Sequence, residues 1–365
     1  MSIVPLVLKQ FRIEGEFLSA CLSGSGHIND TYLAQFRQDG FRASYIVQRI
    51  NHQVFPDPPA MMENIVRVTR HIQKKLEARG VEDISRRVLK VIFTHDGSPY
   101  YRDPQGNYWR AYDYIEKARA YDTLTSPGQA FEAARMFGGF LEMLHDFPDP
   151  PLHETIPGFH DGLKRLEAFQ KALAEDPHNR AQTARREIEF VLAHAGLFNV
   201  LPDLVAQRKI PIRPTHNDTK VNNVLLDENT GEGVCVIDLD TVMPGLSLFD
   251  FGDLARSTLS SMTEDEPNVA KITVDMTRFE AILKGFLAAA GAILTETERN
   301  YLVFSTQLIT QIIGIRFLTD YLLGDTYFKI HREGHNLDRC RTQFKLVQSI
   351  IEHEDNMNSL VEKYS

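Results

Sequence analysis

Apolar and polar positions first read as three short strand-like runs, Phe17 to Leu22, Thr31 to Phe36 and Tyr45 to Ile50. The pattern then changes period. Asp57-Pro58-Pro59 offers a capping acid with proline in the first turn, and Met62, Ile65, Val66, Val68 and Ile72 follow at helical spacing until Gly80 ends the run. Two hairpins are expected next. Val88 to Thr94 turns at Asp96-Gly97 into Pro99 to Arg102, and a second turn at Gly106-Asn107 leads into Tyr108 to Ile115.

From about residue 117 long helical stretches take over. Ser126-Pro127-Gly128-Gln129 has the form of a capping box and opens a helix running to about His145. Helices are also expected over Arg180 to Ala195, Arg278 to Ala290, Glu296 to Leu323 and Arg339 to Val361. One island of short strands interrupts them, Val224 to Leu226 and Val234 to Leu239, joined by a polar connection over residues 227–233. The expected class is α+β: a small N-terminal lobe (1–115) of antiparallel sheet plus one helix, a junction at about 112–117, and a larger, mainly helical lobe (116–365) with an inserted β-ribbon.

Composition narrows the possible partners. Against 40 Lys and Arg stand 49 Asp and Glu, a net charge of −9, which argues against a general nucleic-acid or anionic-membrane binder and leaves local phosphate sites open. Cys21, Cys235 and Cys340 are few, odd in number and far apart, so neither a disulfide framework nor a structural zinc site is expected. No apolar run of about 18 residues is legible, and the start of the chain, with Pro5 inside its short apolar stretch, lacks the form of a signal peptide. The expectation is a cytoplasmic protein with no nucleic-acid or membrane partner.

The chemistry concentrates in Thr215-His216-Asn217-Asp218-Thr219-Lys220-Val221-Asn222-Asn223, followed by a strand ending in Ile237-Asp238-Leu239-Asp240. Phosphoryl transfer from ATP needs a carboxylate that aligns the acceptor hydroxyl and takes its proton, and hard oxygen ligands for Mg²⁺. Asp218 supplies the first. Asn223, five residues on, and Asp238 supply the second, with Asp240 as a further oxygen. Lys220 stands where it could neutralise the transferring phosphoryl group. Asp and Asn also favour turns, so one match alone would carry little. Here the spacing, the hairpin context and the apolar strand ending at Asp238 agree.

These runs resemble the aminoglycoside phosphotransferase and choline kinase group of small-molecule kinases, whose segment after the metal-binding Asp is similar to Leu248-Phe249-Asp250-Phe251-Gly252-Asp253. That resemblance implies a bilobal protein-kinase-like fold, with Asp250, and with it His216, bracing the catalytic loop rather than binding ligand. The match is closer to N-acetylhexosamine 1-kinases, through Gly26-His27-Ile28-Asn29, Thr215 to Lys220, Met243-Pro244-Gly245, Arg316-Phe317-Leu318, Asp320-Tyr321-Leu322 and His335-Asn336-Leu337. It implies ATP and Mg²⁺ as cofactors and transfer of the γ-phosphate to the anomeric hydroxyl of a sugar. The sugar is the expected small-molecule partner of a monomer or weak homodimer.

The remaining site residues follow with less support from local sequence. Gly24, Ser25 and Gly26 form a turn where such kinases cover the triphosphate, although a glycine-rich turn is often only a turn. His27 and Asn29 are candidates to reach the sugar. The strand that usually carries a phosphate-holding Lys reads Tyr45-Ile46-Val47-Gln48-Arg49, leaving Gln48 or Arg49 in its place and Glu63 as a surface residue. Tyr112, Tyr114 and Ile115 lie at the junction, where backbone groups would read adenine. Arg316 and Asp320, four apart in an apolar helix, form either an ion pair or, in the reading preferred here, a sugar contact through Arg316; Tyr321, Tyr327, His335 and Asn336 are weaker candidates, with packing as the alternative for most of them. An aminoglycoside or amino-alcohol kinase of the same fold is the enzyme alternative. A nucleotide-binding pseudokinase is the non-enzyme one.

Overall fold

The computed structural model describes residues 3–23 and 28–365. Its chain divides into two compact units. The first comprises residues 1–118, 146–157 and 234–243, and the second comprises 119–145, 158–233 and 244–365. The first unit therefore ends close to the expected boundary at 115 but also takes in two later segments.

In the first unit, α1 (Val4–Leu8) precedes β1 (Glu16–Leu22), β2 (Asp30–Gln38) and β3 (Phe41–Ile50), then α2 (Pro58–Ala78), a single turn α3 (Ile84–Arg87), β4 (Val91–Ile92), β5 (Tyr101–Arg102) and β6 (Tyr108–Asp113). The sheet order is β1-β2-β3-β6-β4, with β5 on β6, and every pairing is antiparallel. Alternation sends Ala34, Phe36, Val47, Trp109 and Ala111 to one face, where they meet Val4, Val7, Leu8 and Phe11 of the N-terminal segment. The first expected hairpin is corrected. Residues 94–98 form a turn, closed by Thr94 N donating to Ser98 O at 2.8 Å, but β4 pairs with β6 instead of with β5.

Helix α2 explains why the later segments join this unit. Asp57 caps it, accepting from Ala60 N at 3.1 Å. Its apolar stripe, Met61, Met62, Ile65, Val68 and Ile72, is buried. Asn64 is buried on the same helix, and its amide donates to His153 O (2.8 Å) and Val242 O (3.1 Å) while its oxygen accepts from His153 N (2.9 Å). One side chain thus fixes two segments far apart in sequence. Glu63 is exposed, as expected, and faces His153 at 3.2 Å.

The short strand β7 (Ala118–Arg119) lies at the division. The second unit holds α4 (Pro127–Leu144), α5 (Gly162–Glu175), α6 (Arg185–Ala193), α7 (Val200–Ala206), β8 (Arg213–Thr215) and β9 (Val224–Asp227). After β10 (Gly233–Val236) and β11 (Met243–Gly245) come α8 (Ser247–Thr258), α9 (Met276–Ala290), α10 (Glu296–Asn300), α11 (Leu302–Leu322) and α12 (His335–Tyr364). Ser126 caps α4 by accepting from Gln129 N, but the reciprocal arm differs from the expected box: the Gln129 carbonyl accepts from Thr125 N at 2.8 Å.

Helix α11 passes, by length and composition, as a membrane-crossing helix, which the sequence reading had not recognised; most of it is buried inside the protein, as in a core helix. It packs against α5, α8 and α12. The α8 contact is close enough that a Cβ on Gly252 would fall 2.5 Å from Ser305 O, so this crossing admits no side chain. Packing of α4 on α9 is equally tight at Gly285, whose Cβ position lies 2.2 Å from Phe131 O. Both contacts fix helices that carry or support the loop described next.

Candidate active site

In the second unit the site is built on the loop that follows β8. Arg213 enters it with Nη2 shared between both carboxylate oxygens of Glu298, each at 2.9 Å, and Glu298 also closes a capping box with Thr295 and accepts from Ser247 at the start of α8. The loop is then held from both sides. Asp250, one turn into α8, accepts from His216 N (3.0 Å) and Asn217 N (2.7 Å), while its own carbonyl accepts from Thr219 Oγ1 (2.6 Å). From the other side His160 Nε2 meets Asn217 O at 2.7 Å. Asn217 itself sits at φ 64°, a left-handed conformation that Asn tolerates better than most residues, with its amide folded back on Thr215. The His216 ring packs edge-on to Phe137 and Phe140, and its Nδ1 accepts from Asp218 N at 3.3 Å.

Asp218 emerges from this frame with both carboxylate oxygens engaged. Lys220 Nζ lies 2.9 Å from Oδ1, and Asn223 Nδ2 donates to Oδ2 at 3.0 Å and to the Asp218 carbonyl at 2.8 Å. Burial by itself would raise the Asp218 carboxyl, but the Lys220 ammonium and its hydrogen bond, with His216 and Arg256 beyond, hold it below the ordinary carboxylate range. In return the Asp218 charge raises Lys220 against its own burial. For Asp250, burial outweighs the two backbone N–H donors and pushes the carboxyl up to about 7. Because Asn223 spends its amide N–H groups on Asp218, its carbonyl oxygen is the end left for a cation.

Other residues of the second unit follow a different pattern from the one expected. Arg316 and Asp320 do not pair. The Asp320 carboxylate accepts from the backbone N–H groups of Thr326, Tyr327 and Phe328 at 2.8–2.9 Å and from Asn336 Nδ2 at 2.9 Å. That cage orients Tyr327 and Phe328, which with Phe159 surround the Arg316 guanidinium at 5.3–5.8 Å from each ring centroid. Arg316 is half-buried and has no carboxylate partner among the described residues. The expected sugar contacts Asn336 and Tyr321 are both engaged within the protein. Asn336 is fully buried, with its amide on Asp320 and Asp325 and its oxygen accepting from Arg339. Tyr321 pairs its hydroxyl with Thr183 at 2.8 Å and lies under Arg180. Both brace the segment after α11, because each polar group they own is already used there.

The first unit contributes its own candidates. Asp238 adopts a left-handed backbone (φ 59°) and is exposed at the head of a 3-10 turn. Asp240, two residues on, is buried. One of its oxygens takes the Arg110 guanidinium and the other accepts from Asn29 Nδ2 at 2.8 Å. Asn29 Oδ1 in turn accepts from Asn51 N at 3.0 Å. Asp240 and Asn29, expected as metal ligand and sugar contact, are held here in an internal network.

Gln48 belongs to the same network. It donates to Thr31 Oγ1 at 3.0 Å and accepts from Arg110 Nε at 2.8 Å, directly across the β3–β6 pairing. The cation missing from β3 thus stands opposite it on β6. Arg110 was overlooked in the sequence, although an arginine inside the otherwise apolar run Tyr108 to Tyr112 was a signal. Burial works against its charge, but Asp240, Tyr112 and Asp238 outweigh it and raise the guanidinium pKa. Burial also pushes the Tyr112 hydroxyl up, as do Asp240 and Asp238, despite Arg110. Tyr112 and Ile115 are buried and Tyr114 is partly exposed. The expected phosphate and sugar contacts Gly24, Ser25, Gly26 and His27 lie outside the described residues.

A family model described as APH, phosphotransferase enzyme family, matches residues 21–290. Among solved structures, an aminoglycoside phosphotransferase from Alicyclobacillus acidocaldarius subsp. acidocaldarius DSM 446 is similar at TM-score 0.59 and 15% identity, covering 98% of this chain and 96% of that one. A choline kinase from Cryptosporidium parvum Iowa II is similar at TM-score 0.57 and 13% identity, with 99% and 98% covered. A microcompartment-associated aminopropanol kinase is similar at TM-score 0.56 and 16% identity, with 98% of each covered. At such identities the likeness speaks for the fold alone, the protein-kinase-like arrangement expected from the sequence.

Proposed function

The chain belongs to the phosphotransferase enzyme family, and from that premise we propose that this ATP-dependent phosphotransferase acts on a sugar, placing the γ-phosphate on the anomeric hydroxyl of an N-acetylhexosamine. The observation that carries the acceptor class is the Arg316 guanidinium, half-buried among three aromatic rings without an acid to neutralise it. Arg165 lies near enough to matter: burial, and then the Arg316 charge, push its pKa down to about 10. The Arg316 charge, with Arg165 beside it, repels a cationic acceptor, and Arg316 offers a fork of donors to the hydroxyl and carbonyl oxygens of a sugar. The residue runs that resemble N-acetylhexosamine 1-kinases point the same way.

In this reading Asp218 aligns the acceptor hydroxyl and receives its proton, late if the transition state is loose. Lys220 leaves its resting contact on Asp218 for the transferring phosphoryl group. Mg²⁺ is a hard cation that takes a few protein oxygens and completes its shell with water and phosphate. Asn223 would supply its carbonyl oxygen and Asp238 its carboxylate. Bound there, the ion would neutralise charge on the nucleotide phosphates. A cytoplasmic location and a monomeric or weakly dimeric state complete the proposal.

The names of the similar structures favour a second reading, in which the acceptor is an aminoglycoside or an amino alcohol. The two readings separate in one assay: ADP production with Mg-ATP across GlcNAc, GalNAc, glucose, galactose, choline and kanamycin, with phosphorus NMR of the product. Turnover of the N-acetylhexosamines to an anomeric phosphate is expected, and Arg316→Met should raise the acceptor KM roughly tenfold. Turnover only with choline or kanamycin would overturn the sugar reading and leave the catalytic loop in place.

A further inference from the structure

Two polar atoms beside the catalytic loop are buried without a hydrogen-bond partner: His160 Nδ1 and Asp253 Oδ2. Neither residue is remote from the chemistry. His160 Nε2 lies 2.7 Å from Asn217 O, next to Asp218 in sequence, and its ring packs at 5.1 Å from Phe249. Asp253 follows Asp250 by three residues on α8, the helix that holds the same loop, and commits only Oδ1, to Arg256 at 2.8 Å. A buried polar atom left unpaired is costly and calls for an explanation, and functional sites are where such atoms persist.

The hydrogen-bonding sense of both atoms can be fixed. A carbonyl only accepts, so His160 Nε2 must carry the ring proton. With the imidazole buried and its pKa pushed down to about 4, the ring is neutral and Nδ1 is left as an acceptor. The Asp253 oxygen is an acceptor as well. Whatever completes this side of the loop must bring two donors. A ring with several hydroxyls does so without adding charge, whereas an ammonium would have to approach Arg316, whose charge already weighs on His160.

We propose that Asp253 Oδ2 and His160 Nδ1 form an acceptor subsite, each receiving a hydrogen bond from a sugar hydroxyl other than the one phosphorylated. The assignment rests on the sugar reading above and deepens it. It makes Asp253 and His160 specificity-determining residues and separates polyhydroxylated acceptors from simple alcohols.

The test is a cycle on the protein with Mg-ATP, crossing Asp253→Asn with monodeoxy analogues of the N-acetylhexosamine that is turned over. Arg256 can still donate to the remaining oxygen of that variant, and His160→Gln, whose amide can still donate to Asn217 O, provides a second arm should the first fail to fold. Each variant should raise the acceptor KM roughly 10- to 100-fold, with the ATP KM unchanged. One deoxy analogue should cost the wild type a similar factor and cost the variant almost nothing further, because the lost partner is the same. Losses that multiply for every analogue would overturn the subsite, since that is the result if both atoms merely share an internal water. Wild type inert to every sugar would overturn the functional reading and this subsite with it; sugar turnover with independent losses would overturn the subsite alone.

Discussion

Each unit of this molecule contains an aspartate paired with a cation, and the two pairs differ in almost everything else. Arg110 and Asp240, in the first unit, have side chains 1% and 3% exposed, and the remaining groups of the pair are taken by Gln48 and Asn29. Lys220 and Asp218, in the second, are 45% and 20% exposed. The first pair is sealed, with both Asp240 oxygens and the Arg110 Nε and Nη1 groups engaged inside the protein. The second retains a long, half-exposed ammonium whose single contact can be exchanged for another. An exposed pair contributes little to stability, because solvent screens it and ordering the side chains costs entropy. A sealed one contributes little net energy when intact but punishes the loss of either partner, since the survivor is left as a buried charge. Two Asp–cation contacts are thus expected to answer mutation in opposite ways.

The largest effect tests the open pair. Asp218→Asn should lower kcat by about 10²–10⁴-fold, the usual contribution of a positioned acid–base group, and leave ADP affinity and thermal stability nearly unchanged. Turnover close to wild type would remove Asp218 from the chemistry. A large loss of stability would place it with the sealed pair. The sealed pair is tested next. Arg110→Met should cost about 3–5 kcal/mol of stability by leaving Asp240 uncompensated, and Arg110→Met combined with Asp240→Asn should recover part of it. Thermal unfolding of the two variants decides the matter: a cost below about 1 kcal/mol for the single change would mean that the network does not hold the first unit together.

How much of this contrast could be read in the sequence follows from the range of the interactions. The contacts of the Asp218 loop were legible because Asp218, Lys220 and Asn223 are neighbours in the chain. The three strands and α2 were legible because one buried face imposes a period of two or of 3.6 on consecutive residues. Helix α5 was missed although Asp161 caps it and its buried Phe169 and Ala172 are spaced for one face. The sealed network left no such trace. Asp240 meets Arg110 across 130 residues and Asn29 across 211. Its reading as a metal ligand came from its position beside Asp238, with no sign of a partner elsewhere. For Asn336 and Tyr321 too the sequence showed no sign of the internal partners they have, Asp320 and Asp325 for the first and Thr183 for the second. Asn64 was invisible for want of any local pattern, although it ties α2 to both returning segments.

The smallest effect sharpens the comparison within the second unit, where His160 is as deeply buried as the sealed pair yet lies against the catalytic loop. Burial is the main cause that lowers its pKa, from 6.5 to about 4, with the Arg316 charge adding to it and Asp253 opposing. In the unfolded chain the same ring takes up its proton near pH 6.5. Between those values the unfolded state binds more protons than the folded one, so stability must rise with pH. The contribution is fully present above pH 6.5 and is lost progressively as pH falls towards 4, to a limit of roughly 3 kcal/mol at about 1.4 kcal/mol per pKa unit. Melting temperatures measured from pH 7.5 down to 4.5 should therefore fall more steeply for the wild type than for His160→Gln, which cannot titrate. Parallel curves would mean that His160 gains its proton as readily in the folded protein as in the unfolded chain. Below about pH 6.5 its Nδ1 would then be a donor rather than an acceptor, while Nε2 would still donate to Asn217 O.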